Sequence, residues 1–382
     1  MLVAVFMVVL LGFAALVIDL GALYMTRTEL QAAADAAAMA GASGYLTDDG
    51  LIQDYYGLAT IVSQRAEDIA DLNETYLGST HVAPGDILLG THDFANPLSA
   101  LDTSGINRLN AAAVTLRYDS SGLNGSIAYS FARLFGKFDS GITASATAAI
   151  DDRFAEYRVD SNGILSPLTI HEDTHAQMLQ NGADEYAFAG GAAGTGSDGV
   201  REIKLFPWKL SGNGNGNGNG NGNGSTSTSD AGAGNFGTLN IGIGNQGTAQ
   251  LEDQILYGVT PAQIAAEIGT ENVVFYDDAG AAVTHNITGN PGLSAGLADS
   301  VEARIGDVIG YFLHRTVSGQ GANSVYEIVG LRFGRVMHID LTGNPNDKVL
   351  VVQPVAYTGE GIVVRDTAPS TAGEVALIVL VQ

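Results

Sequence analysis

The hydrophobic pattern begins with an apolar run from Met1 to Met25, in which Asp19 is the one charged residue. A helix of this length measures roughly 37 Å at 1.5 Å per residue, which is enough to cross the hydrocarbon core of a bilayer. A secretory signal has a shorter apolar core, a basic start and a cleavage site, and this segment shows none of them. The pattern therefore predicts a transmembrane helix rather than a signal peptide.

Helix-forming residues continue beyond this run. The segment TRTELQAAADAAAMAGA predicts that the first helix extends to near residues 41–44. A second helix is predicted for LIQDYYGLATIVSQRAEDIA. Its apolar residues fall close to one stripe: Leu58, Ile61, Val62, Ala66 and Ile69.

Strand-like runs follow these helices and are bounded by Gly, Asp and Asn: GDILLGTHDF, AAAVTLRY and GITASATAAI. Between the last two, SIAYSFARLFGK has the apolar spacing of a short amphipathic helix. The positions that set this spacing are Ile127, Phe131, Leu134 and Phe135. The pattern of residues 46–155 therefore predicts a small α+β unit.

From Glu156 onward the pattern is mostly that of strands. The candidates are REIKLFPW, GTLNIGIG, NVVFYD, SVYEIVGLRFGRVMHIDL, KVLVVQPVAY and EVALIVLVQ. Their mixture of alternating and continuous apolar stretches predicts a sheet with one well-buried face. One short helix is predicted at PAQIAAEIG, with Pro261 in its first turn. Residues 211–229 are all Gly, Asn, Ser or Thr, and this composition predicts a disordered tract because such residues cannot bury a core.

These elements predict an α+β fold in three parts. A long N-terminal transmembrane helix occupies residues 1–45, and the small α+β unit occupies residues 46–155. A mainly β domain occupies residues 156–382 and is interrupted by the tract at 211–229.

The composition of the chain excludes several classes of function and partner. The chain has 41 acidic and 17 basic residues and a formal charge of −24, which argues against nucleic acid as a partner. Cysteine is absent, so disulfides, thiolate metal sites and a cysteine nucleophile are excluded. The fifty glycines and scarce lysines are typical of a turn-rich extracellular protein rather than a helical cytosolic enzyme.

Two motifs raise the possibility of enzymatic chemistry. His171, Glu172 and His175 fit H-E-x-x-H, which on a helix would give two zinc ligands and a general base. The extended residues before His171 and the lack of a recognisable third ligand favour a coincidence. A G-x-G-x-x-G string at residues 242–247 lacks a surrounding βαβ unit and reads as a turn.

The segment VLLGFAALVIDLGALYMTRTELQAAADAAAMAGA resembles the N-terminus of Tad-type (Flp) pilus assembly proteins of the TadE/TadG-like group. The resemblance is carried by an apolar helix with Gly12 and Gly21 that ends in Asp19. It continues through TRTELQ and through an AADAAA tract around Asp35. The stretches NAAAVTLRY, SFARLFGK and ASATAAI look like the larger TadG-like members, and the similarity is looser beyond residue 155.

The resemblance implies a pilin-like helix in the bacterial inner membrane, with the bulk of the chain extracytoplasmic. The alternative location that it implies is the pilus or the cell surface. The implied partners are the membrane and, through the helix, other Tad/Flp components or copies of the chain; no cofactor is implied. The residues expected to serve helix packing and assembly are Gly12, Asp19, Gly21, Arg27, Glu29 and Asp35. Two departures stand out: residues 2–18 contain no acid where type IV pilins carry a Glu, and no Asp-x-Ser-x-Ser metal motif is present.

Asp19 has two interpretations at this stage. It lies near the far end of the predicted span, where it can mark the exit of the helix from the bilayer at small cost. Alternatively, it pairs with a neighbouring subunit or a terminal amine. The expected function is a non-enzymatic, membrane-anchored protein of Tad pilus assembly. The alternatives are a membrane-tethered zinc hydrolase using His171, Glu172 and His175, or a surface adhesin or scaffold.

Overall fold

The structure, a computed structural model, describes residues 2–52, 54–105, 108–160, 162–205, 237–244, 247–290, 297–319, 323–342 and 348–381. Within the helices, the side chains at positions 2, 4, 5, 8, 11, 48 and 49 are also outside the description. The tract predicted to be disordered, 211–229, lies outside the described residues. The chain divides into two compact units, residues 1–151 with 378–382 and residues 152–377. The domain boundaries predicted at residues 45 and 155 stay predictions.

The described part of the first 151 residues contains three helices followed by seven strands. The helices are α1 (Leu2–Ala42), α2 (Asp48–Ile52) and α3 (Tyr55–Leu72). The strands are β1 (Glu74–Thr75), β2 (Gly78–Ser79), β3 (Ile87–Gly90), β4 (Ala111–Tyr118), β5 (Ile127–Ala128), β6 (Asp139–Ser140) and β7 (Ile142–Asp151). Short 3-10 turns lie at Ser43–Tyr45, Pro84–Asp86 and Ala132–Phe135.

The rest of the chain is mainly β, with four helices among the described residues. Its strands are β8 (Phe154–Arg158), β9 (Leu165–His171), β10 (Tyr186–Ala189), β11 (Ala192–Thr195), β12 (Ile203–Lys204), β13 (Asn272–Val274), β14 (His285–Thr288), β15 (Val308–Ser318), β16 (Val325–Asp340), β17 (Val349–Pro354), β18 (Ile362–Val364) and β19 (Leu377–Val381). Its helices are α4 (Glu172–Asn181), α5 (Thr248–Tyr257), α6 (Pro261–Ile268) and α7 (Ala298–Glu302).

In the first unit, the alanine-rich second half of α1 and the helix α3 pack against a four-stranded sheet. The sheet order is β19–β7–β4–β3, and β4 is antiparallel to both β3 and β7. Small side chains let the helices and the sheet approach closely, since an added Cβ at Gly41 would lie 3.4 Å from both Ala66 and Ala112. The core is built mostly from alanines of α1 and apolar residues of β4: Leu30, Ala33, Ala34, Ala37, Ala38, Ala42, Val114 and Leu116.

The predicted second helix is confirmed from Tyr55 onward as α3, whereas Leu51 and Ile52, at the start of the predicted segment, belong to α2. The Asp54 carboxylate accepts hydrogen bonds from the backbone N–H groups of Tyr56 and Gly57, which satisfies donors that the first turn leaves unpaired. Its buried stripe is Leu58, Val62, Ala66 and Ala70. The i, i+4 spacing of these residues continues the predicted stripe through Ala70, while Ile61 and Ile69 are half-buried at its margin.

The second unit is built around a six-stranded sheet. Its order is β12–β17–β16–β15–β9, with β14 also paired to β16. Strand β9 runs parallel to β15, and the other pairs are antiparallel. A smaller antiparallel sheet has the order β13–β8–β18, and β10 and β11 form a separate hairpin.

The large sheet is buried on both faces, which corrects the prediction of one well-buried face. Successive side chains of a strand point to opposite faces, and on β15 Tyr311 and Leu313 join one apolar cluster whereas Phe312 joins another. All three side chains are buried. The continuous apolar stretches of the sequence therefore reflect a strand that is covered on two sides.

The α+β class predicted from the sequence is confirmed. Among the described residues, however, no helix combines the length and the apolarity needed to cross a membrane. The transmembrane segment predicted for the start of α1 falls partly on positions outside the description, namely Met1 and the side chains at 2, 4, 5, 8 and 11. The membrane anchor therefore stays a prediction.

Candidate functional site

Helix α1 has two halves of different character. From Phe13 to Leu20 most of its apolar side chains are exposed, including Leu16 and Val17. From Leu30 to Ala42 the helix supplies much of the core of the first unit. One half is thus held within the unit, and the other presents apolar side chains that no described residue covers.

Asp19 lies where the exposed half meets the folded unit, and it is itself buried. Its carboxylate accepts three backbone hydrogen bonds, from the N–H of Ser130 at 2.9 Å, of Phe131 at 3.0 Å and of Ala132 at 2.7 Å. Hydrogen bonds to an ionised acceptor are stronger than neutral ones. Neither interpretation of Asp19 from the sequence included this partner within the same chain.

The three amides belong to the start of a 3-10 turn, Ala132–Phe135, between the short paired strands β5 and β6. The first N–H groups of any helical turn lack partners within it, so a carboxylate placed there satisfies them. Gly136 ends the turn with φ at 78°, a left-handed conformation that glycine adopts without a Cβ clash. The turn corrects the amphipathic helix predicted over SIAYSFARLFGK.

Other predicted assembly residues also hold α1 to its own unit. The Glu29 carboxylate accepts a hydrogen bond from the backbone N–H of Tyr76 at 2.6 Å. Asp35 accepts one from the Gln31 side-chain amide at 2.8 Å, and the same amide donates to the Ser145 carbonyl at 3.1 Å. These contacts fix the helix against the strands that follow it.

The remaining predicted assembly residues face open space. A Cβ added at Gly12 or Gly21 would meet no described atom within 4 Å. Arg27 is exposed and lines a groove of about 390 Å³, together with residues 20, 23 and 24 of α1 and residues 140–143. In the described part of the chain, these three positions are therefore accessible to a partner.

A second exposed apolar surface lies in the loop of residues 131–138, beside Asp19. Leu134 is 82% exposed, Phe135 is 73% exposed and Phe138 is 63% exposed. Large apolar side chains clustered on one exposed loop are uncommon unless they contact a partner or a membrane. We call this segment, residues 131–138, the apolar loop.

Comparison with known proteins bears on α1. Residues 1–44 match the family of putative Flp pilus-assembly TadE/G-like proteins. The resemblance predicted for this segment is thereby confirmed. The chain matches no curated protein and no solved structure.

The TadE/G-like segment, residues 1–44, ends close to where α1 gives way to the 3-10 turn at Ser43–Tyr45. It contains all six residues predicted to serve assembly. The match supports a role in pilus assembly and a place in the cell envelope, and it suggests a non-enzymatic protein.

The H-E-x-x-H residues do not share one helix face. His171 ends β9 and precedes α4 as its N-cap residue, with an extended backbone and with its Nδ1 accepting the N–H of Asp173 at 3.2 Å. The Glu172 carboxylate lies 2.6 Å from Nε of Arg315. Among the described residues, no group of three or more His, Asp and Glu side chains is placed to hold a metal ion.

His175 belongs instead to a buried polar chain. Its Nε2 lies 3.0 Å from the Tyr311 hydroxyl and 3.7 Å from Oε1 of Glu374, whose other oxygen accepts from Nε of Arg332 at 2.8 Å. Burial lowers the pKa of His175 to about 4, with Arg332 acting in the same direction and Glu374 opposing it. His175 is therefore a neutral interior group at pH 7.

Sequence reasoning missed two features of the α1 site: the backbone amides that bind Asp19, and the exposure of the apolar loop. The amides carry no side-chain signal, and they lie more than a hundred residues from Asp19 in the chain. The loop did carry a signal, since Phe131, Leu134, Phe135 and Phe138 occur within eight residues. Their spacing was compatible with a buried helix face, and spacing alone does not reveal what covers it.

Proposed function

We propose that this chain is a non-enzymatic, membrane-anchored protein of Tad/Flp pilus assembly. The start of α1 lies in the bacterial inner membrane, and the rest of the chain lies on its extracytoplasmic side. The observation that carries the proposal is the TadE/G-like match at residues 1–44 on helix α1. Its apolar side chains are mostly exposed from Phe13 to Leu20, and its residues from Leu30 to Ala42 supply core.

Assembly in this proposal uses the accessible part of α1. Gly12 and Gly21 leave open space beside the helix axis, which allows close approach of a second helix in a bilayer. Arg27 offers a charged group to a partner at the membrane surface. Asp19 and Glu29 support assembly indirectly, because their hydrogen bonds hold α1 against the rest of the first unit. Asp35 contributes by accepting from Gln31, whose side-chain amide also donates to the Ser145 carbonyl.

Membrane anchoring is tested by extracting cell membranes with alkaline carbonate, which releases peripheral proteins but not integral ones. The wild-type chain is expected to stay in the membrane pellet. Replacing the exposed residues Val9 and Leu10 by lysine should release it, because each central lysine costs about 3 kcal/mol of insertion.

The matched control places the same two lysines at Tyr56 and Leu72, exposed apolar positions on α3, and should leave the chain in the pellet. Release of the wild-type chain by carbonate would contradict the anchoring proposal.

A further inference from the structure

We infer that the apolar loop is a second membrane contact, in which Leu134, Phe135 and Phe138 enter the interfacial layer of an anionic bilayer beside α1. This inference rests on the proposed anchoring of α1. The ligand class is a lipid surface with negatively charged headgroups.

The first argument is the depth at which the loop is held. Its first amides bind Asp19, the one charged residue in the apolar part of α1. The polar part of α1 begins at Thr26, about two turns farther along the helix. When the apolar part of α1 lies in the bilayer, Asp19 and the loop attached to it therefore lie near the interface at which the helix leaves the membrane.

The second argument is the chemistry of the loop. Interfacial segments combine aromatic and aliphatic side chains with nearby basic groups. The apolar loop has this composition: exposed Leu134, Phe135 and Phe138 alternate with exposed Arg133 and Lys137. The 3-10 turn satisfies backbone groups locally, which lowers the cost of leaving bulk water.

The third argument is charge. The whole chain carries a net charge of −24, yet residues 131–138 contain two basic residues and no acid, with Asp139 following directly. The Asp19 carboxylate is buried beneath the loop, whereas Arg133 and Lys137 are exposed, so the outer surface of the loop offers positive charge to anionic lipid. The attachment of the loop to α1 through Asp19 places it beside the proposed anchor, which favours lipid over a second subunit as the occupant.

The absence of cysteine makes a direct test available, because a single introduced cysteine can be labelled selectively. The full-length chain carrying Phe135→Cys, labelled with an environment-sensitive nitrobenzoxadiazole dye, is reconstituted into vesicles of phosphatidylcholine and phosphatidylglycerol. Emission is measured with aqueous iodide and with lipids that bear a quencher at a shallow acyl position. The same measurement on a second variant, Leu134→Cys, shows whether the result depends on the substitution at Phe135 alone.

Two control positions calibrate the result. Leu98 is 92% exposed and lies in the loop after β3. Gly90, the last residue of β3, pairs with Ala111, whose carbonyl accepts a hydrogen bond from the Tyr45 hydroxyl. Because Tyr45 follows the C-terminal end of α1, this loop lies away from Asp19. A dye at Leu98→Cys reports the aqueous limit. A dye at Leu10→Cys, in the apolar half of α1, reports insertion of the helix itself.

The expected result is blue-shifted emission at Phe135→Cys and Leu134→Cys, strong quenching by shallow lipid quencher, and iodide quenching several-fold weaker than at Leu98→Cys. Vesicles without phosphatidylglycerol, or the added changes Arg133→Glu and Lys137→Glu, should weaken this shift. Lipid quenching at Leu10→Cys together with full iodide access at the loop would overturn the inference and leave the anchoring intact.

Shielding of the loop from both quenchers would also overturn the inference, because it would show a protein partner on this surface. A dye at Leu10→Cys that remains accessible to iodide would instead show that the proposed anchoring has failed.

Discussion

Asp19 illustrates how an acidic residue becomes compatible with an apolar helix. Its carboxylate is buried and accepts hydrogen bonds from three backbone N–H groups, so neither the acid nor the amides of residues 130–132 are left without partners. In a membrane-anchored chain this arrangement also joins the helix to the unit outside the bilayer. The residue is therefore a structural link between α1 and the apolar loop.

We predict that Asp19→Ala loosens this turn, because the three amides lose a charged acceptor. The hydrogen exchange of the amides of Ser130, Phe131 and Ala132 should accelerate. Asp19→Asn, which keeps one carbonyl acceptor, should give a smaller change. Asp35→Asn is the matched control on the same helix, since Asp35 bonds to Gln31 and not to this turn. Equal exchange in Asp19→Ala and the wild type would contradict the link.

The lowered pKa of His175 predicts that the folded chain loses stability in acid. Its folded pKa of about 4 lies below the ordinary value of 6.5, so between these values the unfolded chain binds more protons than the folded chain. Stability is therefore full above pH 6.5 and falls as the pH drops towards 4. The largest loss is about 3 kcal/mol, from roughly 1.4 kcal/mol per pKa unit.

Urea denaturation at pH 7 and pH 5 measures this dependence. His175→Gln, which keeps a partner for the Tyr311 hydroxyl, should flatten it. An unchanged pH dependence in that variant would show that His175 is not its source.

At the scale of elements, α1 depends on small side chains. Ala34 is fully buried where the helix packs in the core, whereas Ala32 on the same helix is exposed. Ala34→Leu should destabilise the first unit by about 1–3 kcal/mol through overpacking. Ala32→Leu should change stability by less than about 0.5 kcal/mol, because leucine is also a good helix former. Thermal unfolding followed by circular dichroism compares the two, and equal effects would contradict the packing described.

Several elements could be predicted from local pattern. The run AAAVTLRY is strand β4, and PAQIAAEIG is α6, whose Thr260 and Gln263 form a reciprocal cap. The long apolar and alanine-rich start is one helix, α1. In each of these, the periodicity or the capping residues lie within the element itself, so tertiary context was not needed to identify it.

Other elements required tertiary information. Strand β15, which lies between β16 and β9 in the large sheet, was not predicted, because its segment VIGYFLHRTVS combines an apolar run with Gly310 and polar residues without a regular period. Packing is tight at Gly310, since an added Cβ would lie 3.1 Å from the Phe333 ring. The partner of Asp19 and the exposure of the apolar loop were beyond reach for the same reason: both depend on residues distant in the chain.

At the scale of the whole molecule, the central claim is that this chain is needed to assemble Tad/Flp pili through its TadE/G-like helix. The family match at residues 1–44 supports this claim, together with a helix whose apolar side chains are mostly exposed from Phe13 to Leu20 and whose residues from Leu30 to Ala42 supply core.

The most direct test is to delete the gene for this chain in the piliated bacterium from which it comes and to count pili by electron microscopy. We predict that pili are lost, that the wild-type chain restores them, and that the chain with lysine at Val9 and Leu10 does not, although the variant with lysine at Tyr56 and Leu72 does. Normal pili in the deletion strain would contradict the account.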